Sequence, residues 1–199
     1  VYSEELDEAQ RHQLERDLDR IERDLGTGRQ RDVSERAKRV LAQLSALGIG
    51  PHRGASSIGA KAQLLLARVQ SETAKQVLAK PPPELRAAKS WAQRIDLELA
   101  FARAAYEKVN PWGVRSLYRC GLVEMAELDR AAAGVLQDVP VAGRRDREWV
   151  VAERRRHLKL ARTALRHALQ VQAETSLCVE EARGARDAVD AELASMAGP

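Results

Sequence analysis

The side chains that could carry chemistry in this chain are few and poorly spaced for it. The four histidines are His12, His52, His157 and His167. His157 and His167 stand ten residues apart on one predicted helix. Two ligands of one metal on a helix instead sit about three or four residues apart, where side chains share a face. Cys120 and Cys178 have no second pair to complete a zinc site, and no H-E-x-x-H occurs. We read each cysteine as a small core residue. They pair only if the helices that carry them are neighbours, and an intracellular address argues against a disulfide.

Phosphate and acyl chemistry fare no better. There is no P-loop, no G-x-G-x-x-G and no G-x-S-x-G. Gly48-Ile49-Gly50 lies between helices rather than after a strand, so it is not a nucleotide fingerprint. Ser56 and Ser57 read as a loop and a helix cap. The Glu-x-x-His motifs of di-iron bundles are missing. The expectation is a protein without enzymatic activity, metal or cofactor.

One chemical pattern does stand out, and it is cationic. Arg155, Lys159, Arg162 and Arg166 recur at intervals of four, three and four, which makes a stripe along one helix. Such a stripe suits phosphates of RNA or DNA, an anionic membrane surface or an acidic protein. The plainer alternative is a flank that pairs with the acidic first helix of the same bundle. The aromatic residues that stack bases in single-strand binders are not interleaved with it. Trp112 and Trp149 are candidate interface anchors, since Trp is enriched at binding hot spots. Trp112, in the turn Asn110-Pro111-Trp112-Gly113, is equally placed to cap the end of a bundle.

These residues need elements to position them, and the composition says which kind. Among 199 residues there are 33 alanines, 26 arginines and one phenylalanine. Strong helix formers dominate, whereas β-branched and aromatic residues are scarce. The arginine excess accompanies an alanine excess, as codon bias in a GC-rich genome would produce. No apolar run approaches the roughly 20 residues of a membrane-spanning helix.

Periodicity predicts six helices. The first runs over 4–25, with Ser3 as N-cap, Glu4 and Glu5 in its first turn and Gly26 past its end. The others cover about 30–47, 58–79, 84–109, 114–138 and 146–196. Leu85, Ala88, Ala92, Ile95, Leu99, Ala102, Tyr106 and Val109 make an unbroken seam on the fourth helix. Trp91 and Phe101 lie off that seam, so this helix is expected to pack on a second side as well. The fourth and fifth helices, joined by a short turn, read as an antiparallel hairpin.

The last segment holds a three-four rhythm from Val151 to Met196, with no proline and only Gly184 to interrupt it. Arg154, Gln172, Thr175 and Arg186 are polar breaks in its seam. Unbroken, it would be roughly 75 Å long, well beyond a compact domain of this size. It must break near Gly184 or project toward a partner. It is basic over 144–169, with a net charge of +6, and acidic over 170–199, at −4.

The fold class expected is all-α: an extended antiparallel helical bundle or coiled coil with a long C-terminal helix. Residues 1–80 form a three-helix region, 81–143 the hairpin, and 144–199 a long helix packed on it. The function expected is that of a structural subunit held by protein partners in a larger assembly. The alternatives are an RNA- or ribosome-associated protein and a membrane-surface helical module. The expected address is intracellular, and the sequence permits an organellar one such as mitochondrion or plastid.

Overall fold

The computed structural model describes residues 6–25, 27 and 29–196. The described residues form an all-α bundle of seven α-helices and one short 3-10 turn. The helices are α1 (Glu8–Leu25), α2 (Gln30–Ala46), α3 (Ser57–Leu78), α4 (Leu85–Glu107), α5 (Arg115–Gln137), α6 (Arg144–Gln170) and α7 (Val179–Ser195). The caps assigned to Ser3 and Gly26, with Glu4 and Glu5, lie outside the described residues.

Each helix buries the stripe its periodicity marks. Leu14, Leu18 and Ile21 of α1 are buried, as are Val33, Ala37, Val40 and Leu44 of α2. Ser56 caps α3 by accepting from the Gly59 amide at 3.2 Å. Ala88, Ala92, Ile95, Leu99, Ala102 and Tyr106 put the seam of α4 into the core. Trp91 is also buried, with its indole N–H donating to the Val77 carbonyl at 3.1 Å. Phe101 differs: it is 51% exposed, so the second side expected for α4 is covered at Trp91 and bare at Phe101.

α5 is the central helix. It packs on α3, α4, α6 and α7, and most extensively on α6. One apolar core runs through the molecule from Leu14 to Val189.

The turn after α4 closes one end of the bundle. The amides of His52 and Ser56 donate to the carbonyls of Pro111 and Trp112, which ties the α2–α3 loop to it. Trp112 is 5% exposed and its ring packs against Gly59. A Cβ at Gly59 would stand 2.0 Å from its ring, so only glycine fits beneath it.

The long last helix is corrected. Residues 144–196 form two helices, and the chain leaves the helix at Val171, not at Gly184, which lies inside α7. The three-four rhythm survives within each half: Leu158, Ala161, Leu165 and Ala168 are buried, then Ala182 and Val189. Neither proline nor glycine marks the break, because the partner that makes it sits on α5.

Candidate interaction surface and its internal braces

The break is held by Arg119 of α5, which is only 5% exposed. Its guanidinium donates to four carbonyls: Ala168 at 3.3 Å, Val171 at 2.6 Å, Thr175 at 2.8 Å and Leu177 at 3.2 Å. The last carbonyls of a helix have no partners within it, and five fixed N–H donors in one plane suit such a cluster. One turn earlier, the Ser116 hydroxyl donates to Glu174 at 2.7 Å. That bond holds the Glu174 carboxyl below its usual range.

One residue after Arg119, Cys120 is joined to Cys178 by a disulfide. The reading of two unpaired core cysteines is therefore overturned: α5 and the α6–α7 connector are neighbours, with the two Cα atoms 5.3 Å apart. Cys178 sits at φ 59°, a left-handed conformation rare for a residue with a side chain, at the start of α7. Tyr118, on the same stretch of α5, donates to Glu107 at 2.8 Å and meets the His167 ring edge-on. Burial, then the Glu107 carboxylate, pushes its hydroxyl well above the ordinary tyrosine value.

This hinge folds α7 back along α6, and the cationic stripe is divided as a result. Arg155 donates to the Met196 carbonyl at 2.9 Å. Arg162 Nε lies 2.7 Å from Asp190 Oδ1, an ion pair by distance that is not aligned as a hydrogen bond. Lys159 and Arg166 are exposed. Half of the predicted binding stripe is thus spent within the chain. The acidic element it meets is α7, not the first helix named in the plainer alternative.

The acids of α1 pair with their own neighbours instead. Arg36 of α2 holds Asp24, and Lys61 of α3 lies 2.7 Å from Asp19 and 3.2 Å from Glu22. Arg68 of α3 is the main brace of this half. It grips Glu124 of α5 through both carboxylate oxygens and Glu22 of α1 at 2.7 Å. Tyr106 of α4 donates to the same Glu124 at 2.8 Å, so four helices meet there. Burial raises the Glu22 carboxyl, but hydrogen bonds from Lys61 and Arg68 outweigh it and hold the group below its usual range. Burial works against the Arg68 cation too, and its bonds to Glu124 reverse that, leaving it more firmly charged than an ordinary arginine.

A third cluster joins α4, α5 and α6. His157 is fully buried, and its Nδ1 lies 3.2 Å from Asp129 Oδ1. Arg103 donates to the other oxygen of Asp129 at 2.8 Å. On its far side, His157 Nε2 lies 3.3 Å from the Arg156 guanidinium and 3.5 Å from Asp96. The ring thus sits between Asp129 on one side and Arg156 with Asp96 on the other. A His–Asp pair is the arrangement that orients a catalytic base, but here both ring nitrogens face other charged side chains and the ring is sealed from solvent. The sequence reading treated His157 only as a failed metal ligand. Its place seven residues after Val150 and four before Ala161, both buried, was the signal that it faces the core.

Of the two tryptophans read as interface anchors, Trp112 is closed off inside the bundle, which corrects that reading of it. Trp149 is half-buried, with Lys89 Nζ 5.8 Å from its ring centroid. Together with Ala92, Gln93, Asp96 and Glu153 they line a shallow hollow between α4 and α6. Among the described residues, no group of three or more His, Cys, Asp or Glu side chains is arranged to hold a metal ion, and no helix is long and apolar enough to cross a membrane. No family model, curated protein or solved structure matches this chain.

Proposed function

We propose that the protein is a non-enzymatic helical subunit that docks within a larger multiprotein assembly. One observation carries this reading. The charged groups of the interior all join helices to one another: Arg68 spans α1, α3 and α5, Arg119 spans α5 and the α6–α7 connector, and His157 spans α4, α5 and α6. A body braced in this way is suited to present surfaces rather than to rearrange around a substrate. The surfaces it offers include the helical faces, the half-buried Trp149 and the exposed cations Lys159 and Arg166 of α6. With Cys120 and Cys178 paired, the intracellular address we propose is an oxidising one, where disulfides persist.

The alternative, an RNA- or ribosome-associated protein, would rest on the same basic half of α6. It is weakened because Arg155 and Arg162 are already engaged by α7. Isolation of the native protein at low and at moderate salt, with mass spectrometry, separates the two. A stoichiometric set of proteins that survives moderate salt, and that is reduced by Lys159→Glu with Arg166→Glu or by Trp149→Ala, supports the assembly subunit. Nucleic acid recovered only at low salt, and lost with the same charge reversals, supports the RNA reading, since phosphate contacts release counterions and weaken steeply with salt. Recovery of the chain alone contradicts both.

A further inference from the structure

We infer that the outward face of α4 is a docking surface for an anionic lipid bilayer. This goes beyond the assembly reading and does not depend on it.

Leu97 and Phe101 are 54% and 51% exposed, the two most exposed large apolar side chains among the described residues. They stand one turn apart on the side of α4 opposite its buried seam of Ala88, Ile95, Leu99 and Ala102. At 100° per residue, Arg86, Arg94 and Lys108 fall on this same face, and all three are exposed. One acid borders it: Glu98 lies a turn from Arg94 at its edge, about a quarter-turn from Leu97, while Asp96 is turned to Arg156 and Glu107 accepts from Tyr118.

The face therefore presents two apolar side chains between cations of a single sign, spread over about 33 Å of helix. A second copy docked through the same face would bring like charges together. An amphipathic partner helix would need a longer apolar seam than one Leu–Phe turn, and a groove rather than the crest of a single helix. An anionic headgroup layer meets both features. It attracts cations along its whole extent, and it admits short apolar side chains below the level of the charges.

Co-sedimentation of the full chain with vesicles tests this. The vesicles are phosphatidylcholine alone, and phosphatidylcholine mixed with phosphatidylglycerol. Binding to the mixed vesicles only is expected. Leu97→Ser with Phe101→Ser should weaken it about tenfold or more. Arg94→Glu should weaken it further than Arg166→Glu, a charge reversal of equal size on α6. These positions are exposed, and an unchanged thermal midpoint confirms that each variant is folded. The inference is overturned if neither vesicle binds. It is also overturned if binding ignores the Leu97/Phe101 pair and falls equally with both arginine reversals, which would be diffuse charge attraction. A third contradicting result is that vesicles are ignored while a synthetic acidic amphipathic helical peptide binds and is lost with the pair, which would make the partner a protein. None of these outcomes bears on whether protein partners survive moderate salt in the native isolation.

Discussion

The α1–α3 half and the α5–α7 half of this bundle are held together by different means. In the first, helices that end at glycines and prolines dock by complementary charge: Arg36, Lys61 and Arg68 against the acids of α1. In the second, a segment with no stop signal of its own is broken and folded back by Arg119 and Cys120, which belong to another helix. Charge pairing between half-exposed side chains is spread over many contacts that are each small. A buried guanidinium on four carbonyls, next to a cross-link, concentrates its effect at one point. The two halves should therefore fail differently, and substitutions can be ordered by how strongly they expose this.

The largest effect is expected from the cross-link. The disulfide closes a separation of 58 residues, so the chain-entropy estimate of its contribution is about 4 kcal/mol. Cys120→Ser with Cys178→Ser, or reduction, should lower the urea midpoint accordingly and raise hydrogen exchange in α7 before α1. Next comes Arg119→Met. It strands the carbonyls at the end of α6 and should cost about 3 kcal/mol. Its loss should appear in α7 and in residues 171–178, and it should not add simply to loss of the disulfide, since both act on one connector. Arg68→Met should cost about 2 kcal/mol and loosen α1, leaving α7 protected. A variant of either half that loosened both equally would erase the distinction.

The smallest effect is acid dependence, carried on the α1 side by three lowered carboxyls and on the other side by Glu174 of the α6–α7 connector. Glu22, Asp19 and Asp24 are held below their usual values, the first against its own burial and the other two chiefly by hydrogen bonds from Lys61 and Arg36. A carboxyl lowered in the folded state contributes stability that is fully present above its unfolded value and is lost as pH falls through the folded one. Thermal midpoints should therefore decline as pH drops below about 4.5, the ordinary glutamate value. Glu22→Gln should blunt the decline. The groups are partly to fully solvated, so the change for Glu22 is about 1 kcal/mol at most.

The same contrast explains what was legible from the amino acids. The first five helices follow from apolar spacing and from local punctuation such as Gly48-Ile49-Gly50-Pro51 and Pro81-Pro82-Pro83, and they agree with the observed ends within a few residues. The charge layout left two readings of the basic stripe open, a partner surface and a flank paired with the acidic first helix; in the structure α7, not α1, is the acidic element that Arg162 meets. The break at Val171 was not legible. Residues 171–178 carry no breaker, and the interaction that ends α6 spans about fifty positions of sequence from Arg119. Likewise nothing local shows that Trp112 needs a glycine at position 59, since that contact exists only once α3 is packed. Of the candidate surface residues, the interval pattern found the stripe but could not divide it. Arg155 and Arg162 look no different from Lys159 and Arg166 until α7 turns back.

The central claim is that one helix ends at Val171 because α5 holds it there. Residue-resolved hydrogen exchange on the oxidised native chain tests it most directly. The account predicts slow exchange through the second half of α6 and through the body of α7, with fast exchange at the amides of residues 172–176 between them. Protection through 172–176 as strong as in the flanking helices would mean one continuous C-terminal helix, and would contradict it.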